Sequence, residues 1–78
     1  MPRAHRASTL ERFGARVREC RLEQDLSQEE LGFRAGLHPT YISGIERGVR
    51  NVSLRNIVVI AAALRVDPGE LLHGLRPD

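Results

Sequence analysis

A five-helix, all-α fold is predicted for this 78-residue chain, and three observations predict it. Three segments open with a capping oxygen three residues ahead of a glutamate: Ser8-x-x-Glu11, Ser27-x-x-Glu30 and Asp67-Pro68-x-Glu70. In each, the side-chain oxygen takes a free amide of the first turn while the glutamate reaches back, a reciprocal pairing that starts helices. Apolar residues recur at steps of three and four, and no stretch alternates apolar with polar as a half-buried strand would. Between Gln28 and Arg47, a short helical segment, Gly36 and a second short helical segment follow one another, the spacing of a tight bihelical turn.

The first helix is predicted from Thr9 to about Gln24, with Leu10, Phe13, Val17 and Cys20 on its inner stripe. Arg12, Arg16 and Arg18 fall on a solvated face beside Glu11, Glu19 and Glu23. The second helix follows Ser27 and carries Leu31 and Ala35 on one face. Gly36 ends it, because the left-handed conformation of a helix stop costs glycine almost nothing. Leu37 then folds back as the apolar plug under the turn. The third helix follows His38, with Pro39 at its first position, where the missing N–H is harmless. It hides Ile42 and Ile45 and shows a small or polar face of Thr40, Ser43, Gly44 and Arg47.

Ser53 caps the fourth helix, which is expected to turn Leu54, Ile57, Val58, Ala61 and Leu64 inward. Residues Ile57 to Leu64 are apolar on every side, where the core can use only one stripe. Val59 and Ile60, with Val52, Leu72 and Leu75, are left to cover something else, and a second copy of the chain in a symmetric dimer is the expected occupant. The fifth helix is short, from Pro68 to about His73, and residues 1–7 and 76–78 are expected to be flexible tails.

Composition narrows the function. The length allows one domain with one core, spanning residues 1–78. The net charge is only +2, but its distribution is uneven. Arg34, Arg47, Arg50 and Arg55 lie in a stretch that holds one acid, Glu46, so one surface is basic, as a phosphate-binding surface is. Cys20 is the only cysteine, which excludes an internal disulfide and a cysteine-rich metal site. The polar N-terminus is not a secretory signal and the longest apolar run is too short for a bilayer, so a cytoplasmic chain without membrane contact is expected. His5, His38 and His73 are scattered without ligand spacing, and no glycine-rich phosphate loop follows a strand. Neither catalysis nor a metal, cofactor or small-molecule ligand is expected.

The motifs now combine. Leu26-Ser27-Gln28-Glu29-Glu30-Leu31, Ala35-Gly36-Leu37 and Ile42-Ser43-Gly44-Ile45-Glu46-Arg47-Gly48 follow one pattern, and Ile60-Ala61-x-Ala63-Leu64-x-Val66 and Leu71-Leu72 extend it. Over about residues 10 to 75 the chain resembles the Xre/Cro-type helix-turn-helix regulators, the family of the lambdoid phage repressors. The run Thr40 to Gly48, with Arg50, Asn51, Ser53 and Leu54, is similar to the controller proteins of restriction–modification systems. The resemblance implies a lambda-repressor-like domain whose third helix enters the major groove of double-stranded DNA. It implies that Gln28 bonds a phosphate, that Thr40, Tyr41, Ser43 and Gly44 face the groove, and that Arg47, Arg50 and Asn51 hold phosphates or reach base edges. It also implies a structural ion pair between Arg21 and Glu46, tying the first helix to the third. Autoregulation is a further implication of the controller likeness.

The side chains agree with that division of labour. Arg47, Arg50 and Gln28 have the reach and donors for phosphates, which position a protein without choosing sequence. His38 and Ser53, as helix caps beside free amides, are further phosphate candidates. Thr40, Tyr41 and Ser43 carry short or planar groups suited to base edges. Controller proteins often carry an arginine or another long polar side chain where this chain has Pro39, which can offer a base only apolar contact, as with a thymine methyl. The expected function is a homodimeric, sequence-specific transcriptional regulator on a palindromic operator. The alternative is a protein–protein module, an antitoxin or adaptor, on the same fold.

Overall fold

The computed structural model describes residues 6–78 and contains five helices in the predicted order: α1 Thr9–Glu23, α2 Gln28–Ala35, α3 Pro39–Glu46, α4 Leu54–Leu64 and α5 Pro68–Leu72. Most of the expected N-terminal tail, with His5, lies outside the described residues. Ser8 and Ser27 form both halves of their capping boxes. The Ser8 amide donates to Glu11 Oε1 at 3.0 Å, and the Glu11 amide donates to Ser8 Oγ at 3.1 Å. At α2 the Ser27 amide, with the Ser27 side chain, holds the Glu30 carboxyl below its ordinary range. His38 caps α3 by accepting the Thr40 amide on Nδ1, and Ser53 caps α4 by accepting the Asn56 amide.

The stops are equally local. Gly36 takes φ 68° after α2, and the Leu37 amide donates back to the Gly32 carbonyl at 2.8 Å. Asp25 and Arg65 adopt the same left-handed conformation after α1 and α4, with φ 55° and 58°.

Helix α3 packs between α1 and α2, α4 packs on α2 and α5, and α5 closes on α1. The core at their meeting point is aliphatic: Val17, Leu31, Ile42, Ile45, Ile60, Leu64 and Leu71 are withdrawn from solvent, with Phe13 and Cys20 at its edge. Each large apolar side chain so buried stabilises by about 1.5–3 kcal/mol. Gly14 sets how closely α1 approaches α3, since a Cβ there would stand 2.1 Å from the Ile45 carbonyl oxygen. Only glycine permits that approach.

Two expectations are corrected. Ile60 is fully buried, so it belongs to the core and not to a dimer surface, whereas Leu54 and Val58, expected inside, are 74% and 47% exposed. The inward stripe of α4 is Ile57, Ile60, Ala61 and Leu64, which keeps three expected residues and has Ile60 in place of Leu54 and Val58. Val52 and Leu75 are half-buried against the core, Val59 is half-buried, and Leu72 remains 38% exposed. Residues 76–78 lie against the start of α1. The Thr9 amide donates to Asp78 Oδ1 at 3.3 Å, and the Thr9 hydroxyl donates to the Arg76 carbonyl.

Candidate nucleic-acid interface

The face of α3 turned away from α1 begins beside the N-terminus of α2. An open cleft of about 470 Å³ separates the two helix starts, lined by Ser27, Gln28, Glu29, Pro39, Thr40 and Ser43, with Arg21 at its floor. Thr40 is exposed, and Pro39 and Ser43 are half-exposed, so these three present the short edge of the helix. Arg47 caps the far end of α3, and Arg50 and Asn51 follow in the loop toward Ser53, all four exposed. Among the described residues, neither Arg47 nor Arg50 pairs with a carboxylate; the two arginine–carboxylate pairs are Arg16–Glu19 and Arg21–Glu46. Two guanidiniums without a carboxylate partner therefore stand at the far end of a small polar face, a layout that suits phosphates at the rim and bases along the helix.

Beneath this face lies a buried polar network. Arg21 Nε donates to Glu46 Oε2 at 2.7 Å and Nη2 donates to Oε1 at 2.9 Å, a two-pronged bond. Arg21 Nη1 donates to the Leu26 carbonyl at 2.7 Å, so the guanidinium joins α1, the α1–α2 turn and the end of α3. The bond to Glu46 raises the Arg21 pKa above its ordinary value, so the charge on this side chain is permanent. Gln28 Nε2 donates to Glu46 Oε1 at 3.1 Å, which fixes the side-chain amide at the mouth of the cleft. Its second N–H and its carbonyl remain for a ligand.

Two predicted contacts are placed differently. Gly44 is buried rather than groove-facing, because the Arg50 side chain lies across it. Tyr41 is half-buried against the core, and its hydroxyl accepts a hydrogen bond from Asn56 Nδ2 at 3.2 Å. The phenol sits on the flank between α3 and α4 and keeps its O–H as a donor. Asn56 itself escaped sequence reasoning. Its one signal was a neutral polar side chain immediately before the apolar run of α4.

Catalytic geometry is not evident among the described residues. No group of three His, Cys, Asp or Glu side chains converges there, and burial pushes the Cys20 thiol up from its ordinary value. No helix among them is long and apolar enough to cross a membrane.

The fold and this face define a class. The chain belongs to the helix-turn-helix family, whose model matches residues 17–71, and its five helices are the lambda-repressor-like arrangement. It is 57% identical over 61 residues to the control protein C.BamHI of Bacillus amyloliquefaciens, an alignment covering 77% of this chain and 75% of that one. Its structure is similar to the restriction–modification controller protein C.AhdI from Aeromonas hydrophila, with TM-score 0.79, 53% identity, and 80% of this chain and 94% of that chain covered. It also matches the controller protein C.Esp1396I, solved as a tetramer in complex with its natural 35 base-pair operator, with TM-score 0.77, 33% identity and coverage of 86% and 88%.

Proposed function

We propose that this chain is a cytoplasmic, sequence-specific DNA-binding regulator of transcription, of the restriction–modification controller kind, and not an enzyme. A homodimer places one α3 in each of two successive major grooves, about 34 Å apart. Thr40, Ser43 and Pro39 meet base edges, and Tyr41 offers its hydroxyl from the flank. Arg47, Arg50, Asn51, Gln28, His38 and Ser53 hold the backbone. The observation that carries the reading is the small face of α3 ending in two exposed arginines that have no carboxylate partner among the described residues. The controller relatives support it, one of them solved on operator DNA.

The second copy seats on the open side of α4, where Leu54 and Val58 take the place of the buried Ile60, and Leu72 of the expected set is also exposed. Control by concentration, including action at the chain's own promoter, fits the likeness to controller proteins.

The test is binding to the DNA upstream of the chain's own gene, beside a scrambled duplex, across a salt series. We expect preference for the native fragment, with log affinity falling against log salt at a slope of roughly −4 to −8. Arg47→Glu with Arg50→Glu should abolish both the binding and most of the slope. Undiminished binding by that variant would move the site off this face. No binding by the wild-type chain at low salt would favour the adaptor reading instead.

A further inference from the structure

We infer that Gly44 is a positioning residue for Arg50: the absent side chain on α3 makes the seat across which the Arg50 stem lies, delivering its guanidinium to the recognition face. The inference rests on the proposed contact between Arg50 and DNA. It deepens that reading by assigning a glycine that touches no DNA.

The geometry is specific. A Cβ built on Gly44 would stand 2.8 Å from Arg50 Cγ, 3.3 Å from Nε and 3.6 Å from Cδ. Its three nearest atoms thus all belong to one flexible side chain, and none is backbone. The same residue holds the returning loop by its other side. Gly48, at φ 75°, reverses the chain after α3, and the Val49 amide donates to the Gly44 carbonyl at 3.0 Å. The next residue is Arg50. One residue of α3 therefore anchors the loop through its carbonyl and receives the arginine stem at its Cα.

The backbone conformation does not ask for glycine here. The φ of Gly44 is helical, not left-handed, and alanine is the better helix former inside a helix. What alanine takes away is the seat. An Arg50 stem that already lies along α3 loses less side-chain freedom on binding than one that starts in solvent. Its guanidinium has no acceptor among the described residues, so its donors are free for a phosphate or a guanine edge.

The experiment compares Gly44→Ala, Arg50→Ala and the double variant with the wild-type chain. It uses a duplex that the wild type selects from a randomised pool, with melting temperature as a second readout. Gly44→Ala should bind roughly tenfold more weakly while melting a few degrees higher. The double variant should bind no more weakly than Arg50→Ala alone, because the glycine acts only through the arginine. Normal binding by Gly44→Ala beside weak binding by Arg50→Ala would overturn the seat and leave the DNA contact standing. Normal binding by Arg50→Ala would overturn the contact itself and the seat with it. Additive losses, or a lowered melting temperature in Gly44→Ala, would show that the methyl meets something other than Arg50 and would also overturn the inference.

Discussion

At the scale of single residues, the molecule depends most on charges hidden from water. Arg21 and Glu46 are 25 positions apart, yet they form a two-pronged buried bond that also holds Gln28. Removing one partner strands the other, so Glu46→Ala should cost about 3–5 kcal/mol in urea unfolding. Replacing both, as Arg21→Met with Glu46→Leu, should restore most of that loss, since a packed apolar pair needs no compensation. A double variant no more stable than the single one would assign the loss to packing and not to the stranded charge. No spacing rule joins residues so far apart, and the pair was legible only through the family pattern. Gly44 shows the complementary failure. Helical periodicity placed it correctly on the outer side of α3, but it carries no information about a loop that folds back over that side.

Among the elements, the starts were plain and the stops were not. Ser8, Ser27, His38, Ser53 and Asp67 each cap the helix predicted to follow, because a cap is chemistry within three residues. Gly36 marked its own stop. Asp25 and Arg65 did not, since side chains there adopt a conformation that the surrounding packing imposes against their preference. Arg65→Gly should relieve that strain and raise stability by about 0.5–1 kcal/mol. The check is a shifted urea midpoint at unchanged slope. Helix α4 turns Ile57, Ala61 and Leu64 inward as the pattern places them, but the pattern misassigns Leu54, Val58 and Ile60. Apolar on all sides from Ile57 to Leu64, it gives periodicity nothing to contrast, and only the packing of Ile60 against α2 and α5 chooses its inner face.

For the whole molecule, that choice leaves Leu54 and Val58 on the open side of α4, the side proposed to seat a second copy. Leu54→Glu with Val58→Glu should leave the helical content intact and weaken self-association by on the order of 2 kcal/mol or more, read by sedimentation velocity. Ile60→Ala should do the reverse, costing about 2–5 kcal/mol of folding stability before any effect on assembly. If the paired glutamates left the association unchanged, the contact between copies would lie elsewhere. The hydrogen bond from Asn56 to Tyr41 has a wider consequence. It latches α4 to α3, so in the proposed dimer two joined copies behave as a caliper with fixed jaws. One base pair added between half-sites displaces the far groove by about 3.4 Å and turns it by roughly a tenth of a revolution, beyond what such jaws can follow. A dimer so joined selects the distance between half-sites as well as their bases, so one base pair inserted between them should weaken its binding.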